Sequence, residues 1–253
     1  MTARVFPHHL TPDRPPQIGL VVLQEDETIE PDFRRLLPDG VELLTTRVPS
    51  GTEVTPETLA AMERYLGGAV ALLPGAARFA ALAYGCTSGS AQIGPATVNG
   101  ILASCATTRH VTNPVTALIA ACQALGVQRI ALLSPYMESV SDQLRRVLAQ
   151  AGIDTPVFGT FDVAEESRVV RIAPDAIAGA ATSLLADGGA EALFLSCTNL
   201  RTLPLIETLE ARLGLPVLSS NQVLAWHMCR LAGMAMAPGD WGRLSTLDLP
   251  PPG

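Results

Sequence analysis

Short uninterrupted apolar runs alternate along the chain with segments whose apolar positions recur every three or four residues. The runs at 18–23, 80–84, 129–133, 192–196 and 216–219 read as strands buried on both faces. The segments between them read as helices with legible ends. Thr55, Pro56 and Glu57 supply an N-cap, a proline at the first helical position and an acid in the first turn, opening a helix to about Leu66 and Gly67. Leu118, Ile119, Cys122 and Leu125 follow Val115 at helical spacing ahead of Gly126, and Val140, Leu144, Val147, Leu148 and Ala151 repeat the pattern ahead of Gly152. This alternation predicts an α/β fold of parallel sheets covered by helices.

The runs also repeat. Ile18 and Ile130 open similar strands 112 residues apart (18 to 130), and Cys86 and Cys197 close similar strands 111 apart (86 to 197). Two pseudo-two-fold-related, doubly wound domains follow. Residues 17–115 with 223–253 are expected to form the first and 116–222 the second, after a flexible Pro-rich tail at 1–16. Ligands of open parallel sheets bind just outside the carboxyl ends of the strands, where both cysteines fall, so the cleft between the halves is the predicted site.

Composition narrows the chemistry. The formal net charge is -7 and the basic residues stand singly or in pairs, leaving no cationic stripe for nucleic acid. The opening MTARVFPHHLTPDRPP has no apolar leader core, and no apolar stretch approaches the ~20 residues of a membrane span, so a cytoplasmic protein with no membrane partner is expected. All 17 basic residues are arginine. Without lysine the chain cannot hold pyridoxal phosphate as a Schiff base, run lysine-imine aldolase chemistry or build a P-loop. Five cysteines with no Cys-x-x-Cys pair read as free thiols, and His8, His9, His110 and His227 lack metal-ligand spacing, so neither metal nor cofactor is expected.

Cys105, Cys122 and Cys229 read as small hydrophobes. Cys86 and Cys197 stand out because they occupy equivalent strand ends, each followed by a polar turn. A helix beginning there would lower the thiol's pKa and ready it as a base.

The Tyr84-Gly85-Cys86-Thr87-Ser88 turn, Ser134-Pro135-Tyr136, and Leu195-Ser196-Cys197-Thr198-Asn199-Leu200, with Asp26 to Glu30 after the first strand, resemble the aspartate/glutamate racemase superfamily. The resemblance covers roughly residues 17 to 245 and is nearest to the branch of maleate cis-trans isomerase and arylmalonate decarboxylase. Residues 19–24 through 33–35 are also similar to the racemase-like proteins of ectoine utilisation. The resemblance implies that Cys86 and Cys197 flank the reacting carbon of a small carboxylate-bearing substrate. It further implies that Tyr136, Thr87, Ser88, Thr198 and Asn199 donate to the carboxylate, with Thr112, Asn113, Ser219 and Ser220 completing the ring. Ser167, in a loop expected over the site, is a further candidate, and a homo-oligomer is the expected assembly.

Two departures matter. Arylmalonate decarboxylases keep glycine at the first cysteine position, so Cys86 argues against simple decarboxylation. Maleate isomerases carry asparagine where this chain has Asp26, and a carboxylate ~4 Å from a substrate carboxylate would cost ~4 kcal/mol at an effective dielectric of ~20. Asp26 would instead favour a substrate with a cationic amine. The expected activity is a cofactor-independent racemase or epimerase acting at the α-carbon of an amino acid or N-acyl (di)amino acid, in ectoine degradation. The alternatives are a maleate-type cis-trans isomerase with nucleophilic Cys86, and a non-catalytic small-molecule-binding protein.

Overall fold

The computed structural model describes residues 3–11 and 13–250. The first half runs β1 (Gln17–Leu23), α1 (Ile29–Leu36), β2 (Glu42–Val48), α2 (Pro56–Ala61), α3 (Glu63–Val70), β3 (Phe79–Gly85), α4 (Thr87–Ile93), α5 (Pro95–Cys105), β4 (Val111–Thr112) and α6 (Pro114–Leu125). The second runs β5 (Arg129–Ser134), α7 (Glu138–Gln150), β6 (Asp154–Thr160), α8 (Glu166–Val169), α9 (Pro174–Leu184), β7 (Ala192–Leu195), α10 (Ile206–Leu213), β8 (Val217–Ser219) and α11 (Ser220–Leu231). Each half holds a four-stranded parallel sheet, ordered β2-β1-β3-β4 and β6-β5-β7-β8. The matching orders establish the internal repeat.

The five expected strands form within a residue or two of their predicted limits, and all five are almost wholly buried because helices cover both sheet faces. Three edge strands escaped the apolar pattern: β2 and β6 are half-exposed, β6 carrying Pro156 and Gly159, and β4 is only two residues long. The helix opening at Thr55 does form with its capping box, but it breaks at Met62 into α2 and α3. Gly126 and Gly152 close α6 and α7 with φ of 69° and 78°, as their positions predicted.

The C-terminal helix α11 returns to pack on β3, α6 and α1, so the chain's end tightens the first half. Hydrogen bonds also join the halves at the strand ends. Glu27 N–H donates to Asn199 Oδ1 at 2.9 Å, Thr28 Oγ1 to Asn199 O at 3.0 Å, and Asn221 Nδ2 to both Asp32 Oδ2 and Thr198 O at 2.8 Å. Among the described residues no helix is long and apolar enough to cross a membrane.

Candidate active site

Five strand ends converge on one narrow, nearly closed pocket. Its walls are Leu23 and Asp26 after β1, Leu59 of α2, Cys86, Thr87 and Ser88 after β3, Tyr136 after β5, Glu166 after β6, and Cys197, Thr198 and Asn199 after β7. Asp26 and Tyr136 thus follow equivalent strands of the two halves, as do Cys86 and Cys197.

Cys86 is the N-cap of α4, and its sulfur accepts the Gly89 N–H at 3.2 Å. Glycine is required for this approach. A Cβ at position 89 would lie 2.6 Å from Tyr84 Oη and 3.0 Å from Cys86 Sγ. The helix N-terminus does not make this thiol acidic, contrary to expectation: burial pushes it up to about 12, with the Gly89 amide only partly opposing.

Cys197 differs from its counterpart. No helix follows it. The chain turns through Thr198 and Asn199, and Cys197 holds φ at 105°, a region that side chains other than glycine rarely adopt. Ser220 Oγ takes the Cys197 N–H at 3.0 Å and receives Thr87 Oγ1 at 2.7 Å, so one serine behind the pocket ties both cysteine turns together. The sulfur meets Asn199 N–H at 3.3 Å and Tyr136 Oη at 2.9 Å. Burial and the neighbouring Glu166 carboxylate raise its pKa well above that of a free thiol.

The pocket is acidic. Asp26 Oδ1 accepts the Thr28 and Ile29 N–H groups at the start of α1 at 2.8 Å each, while Oδ2 is buried and, although the Thr198 hydroxyl lies beside the carboxyl, makes no well-formed hydrogen bond among the described residues. Glu166 accepts from Tyr136 Oη at 2.8 Å through Oε1 and from Asn199 Nδ2 at 2.9 Å through Oε2. Burial raises the pKa of both carboxyls; the like charges of Asp26 and Glu25 push Glu166 further, whereas hydrogen bonds and the Arg47 guanidinium partly oppose the rise at Asp26. Among the described residues no arginine, lysine or histidine lines the pocket.

Glu166 reaches the site because two repeat-related loops pair across the interface. Val54 N–H donates to Ala164 O at 2.8 Å, Glu166 N–H donates to Thr52 O at 3.1 Å, and Glu53 and Glu165 form an antiparallel bridge. The segments after β2 and β6 thus close over the pocket from opposite halves.

A profile of the arylmalonate decarboxylase family matches residues 48–245. The chain belongs to the arylmalonate decarboxylase family. It is 31% identical to a maleate isomerase of Nocardia farcinica over 92% of this chain and 96% of that protein, and 30% identical to an arylmalonate decarboxylase of Bordetella bronchiseptica over 90% and 96%. A structure of the Nocardia farcinica maleate cis-trans isomerase, a cysteine-to-serine mutant with a covalently bound succinylcysteine intermediate, superimposes with a TM-score of 0.77. It shares 28% identity over 91% of this chain and 98% of that one. The family's members are enzymes, and the two-sheet fold is shared across them.

Against this family frame, Cys86, Cys197, Asp26, Thr87, Ser88, Tyr136, Thr198 and Asn199 are brought together as the sequence predicted. Five other candidates are not. Ser167 is solvent-exposed at the start of α8, where the neighbouring residue Glu166 turns inward instead. Asn113 and Ser219 are spent as N-caps of α6 and α11, and Thr112 Oγ1 pairs with His227 Nδ1 at 2.8 Å. Ser220 lies behind the pocket wall as the tie already described. The important omission is Glu166: its loop was noticed, but only the handedness of one helical turn decides which of Glu165, Glu166 and Ser167 faces inward.

Proposed function

We infer that this enzyme is a cofactor-independent racemase or epimerase in which Cys86 and Cys197 move a proton at the α-carbon of an amino acid or N-acyl diamino acid. One observation carries the reading. Two thiols share a pocket with a buried carboxylate oxygen, Asp26 Oδ2, that makes no well-formed hydrogen bond among the described residues, none of which brings a basic side chain to the pocket wall. A substrate ammonium supplies what Asp26 lacks, whereas a dicarboxylate would meet two acidic side chains, at a cost of ~4 kcal/mol for each like-charge contact at ~4 Å.

In this reading one thiolate removes the α-proton and the opposite thiol returns one on the other face. Positioned acid–base groups contribute only ~10²–10⁴-fold. The rest falls to donors that meet the substrate carboxylate as it gains enolate charge, a role suited to the Thr87, Ser88 and Thr198 hydroxyls and the turn amides. The similarity of residues 19–24 and 33–35 to racemase-like proteins of ectoine utilisation supports a place in ectoine degradation.

A second reading, maleate-type cis-trans isomerisation with Cys86 adding to the double bond, is favoured by the identity to the Nocardia maleate isomerase and by the succinylcysteine formed in that relative. Incubation in deuterated water separates the two. A panel of amino acids, N-acyl diamino acids and maleate should show thiol-dependent deuterium at an α-carbon of the nitrogen-bearing acids. Conversion of maleate without any exchange into the amino acids would overturn the first reading and establish the second.

A further inference from the structure

Tyr136 stands between a thiol and a carboxylate. Its Oη is 2.9 Å from Cys197 Sγ and 2.8 Å from Glu166 Oε1. A phenol has one proton to give and an ionised carboxylate can only accept, so Tyr136 donates to Glu166 and its oxygen accepts the Cys197 thiol. Sulfur, phenol and carboxylate form one directed chain. Asn199 holds both ends of it: Nδ2 occupies Glu166 Oε2, leaving Oε1 to the phenol, and the backbone N–H points at the sulfur where charge would appear.

We propose that Glu166 is the base that activates Cys197, taking the thiol proton through Tyr136. The S–H bond breaks as its proton passes to Tyr136 Oη, while the phenol's own proton passes to Glu166 Oε1. The products are a thiolate, an unchanged neutral tyrosine and a neutral carboxylic acid. No charge is created; one negative charge moves from carboxylate to sulfur.

This transfer resolves a difficulty that the site poses. With no cation in the wall, deprotonating a buried thiol to solvent would add a further negative charge beside Asp26 and Glu166. The groups facing Glu166 are Tyr136, Cys197, Cys86 and Asp26, with Glu25 nearby, and none is basic. Burial and these like charges make Glu166 a stronger proton acceptor than an exposed carboxylate, narrowing the gap to the thiol.

Cys86 lacks an equivalent relay. The Tyr84 hydroxyl faces both Cys86 and Met62 Sδ, the latter at 3.5 Å, but no carboxylate accepts its proton as Glu166 accepts that of Tyr136. The two repeat-related thiols therefore start in different states, with Cys197 as the base and Cys86 as the acid.

The proposal does not depend on the substrate and is tested on the free enzyme by alkylation with iodoacetamide, followed for each cysteine by peptide mass spectrometry across pH. In the wild type, the Cys197 rate should rise as the Glu166 carboxyl ionises, below the alkaline range of a simple thiol. Glu166→Gln should abolish that rise and slow Cys197 by roughly tenfold or more at neutral pH, whereas Cys86, which only loses a neighbouring negative charge, should not slow. Tyr136→Phe should do the same, the double variant should add nothing, and Glu166→Asp should restore part of the rate. Because Tyr136→Phe carries the same expectation alone, a misfolded Glu166→Gln protein does not remove the test. The proposal is overturned if Cys197 follows the wild-type profile in these variants, if both cysteines slow together, or if wild-type Cys197 reacts only in the alkaline range.

Discussion

Replacing Asp26 by Asn changes one charge and almost no shape, which makes it the sharpest probe of the pocket's selectivity. An asparagine Oδ1 can keep both bonds to the Thr28 and Ile29 N–H groups, and the atom that becomes an amide nitrogen is the one that makes no well-formed hydrogen bond among the described residues. Burial raises the Asp26 pKa, so the folded chain holds this proton more tightly than the unfolded chain does. Its ionised form therefore opposes folding at pH values above the unfolded value of 3.8, and the penalty disappears in acid as both states become protonated. At neutral pH the variant should unfold at or above the wild-type temperature, and the two curves should converge in acid. Selectivity should move further. Loss of a ~4 Å contact to an ammonium, worth ~4 kcal/mol at an effective dielectric of ~20, corresponds to about three decades in the ratio of kcat/KM for amino acids over dicarboxylates. The assay is that ratio, measured on both proteins with thermal unfolding alongside. An unchanged ratio, or a variant several degrees less stable at neutral pH, would refute the assignment of Asp26 to a substrate cation.

Two further perturbations test the scaffold. Gly89→Ala forces a methyl within 2.6 Å of Tyr84 Oη and 3.0 Å of Cys86 Sγ; overpacking of this kind costs about 1–3 kcal/mol, or roughly 2–4 °C in Tm per kcal/mol, and the Cys86 alkylation profile should shift to higher pH as its amide donor is displaced. His227 is buried against Thr112, with its pKa lowered from 6.5 to about 4 by burial, so the unfolded chain takes up the proton first. That residue's share of stability, about 3 kcal/mol, should be lost as pH falls from 6.5 towards 4, and His227→Gln should flatten this part of the Tm profile. A wild-type slope retained in His227→Gln would assign the acid sensitivity elsewhere.

The elements that carry the chemistry were also the ones most visible in the sequence. β1, β3, β5, β7 and β8 are buried on both faces and so appear as apolar runs, and the 111-residue spacing of Cys86 and Cys197 makes the repeat visible in the sequence. β2 and β6 were hidden because an edge strand half-exposed to solvent has no need of a continuous apolar run. Site residues divided along a similar line. Thr87, Thr198 and Asn199 sit next to a cysteine in sequence and share its position in space. Thr112, Asn113 and Ser219 also sit at strand ends, but as helix caps or core pairs, because a polar residue before a helix satisfies orphan amides as readily as it meets a ligand. Glu166 arrives by a loop pairing between halves, and such a long-range contact leaves no local pattern.

The same comparison explains the reversed expectation for the thiols. Proximity to a helix N-terminus was read correctly for Cys86, but the dipole and one amide are weaker than the desolvation imposed by a closed pocket. For Cys197 the helix is absent, and a strained backbone holds the sulfur against Tyr136 instead.

Single-thiol variants read the division of labour most directly. Each enantiomer of a turned-over amino acid would be incubated in deuterated water with Cys86→Ser or Cys197→Ser, and α-hydrogen loss followed separately from inversion. Each variant should stop inversion yet still exchange the α-hydrogen of the enantiomer facing its remaining cysteine, faster in Cys86→Ser, which keeps the relay to Cys197, than in Cys197→Ser. Exchange of the same enantiomer by both variants, or full inversion by either, would contradict a mechanism built on two thiols acting from opposite faces.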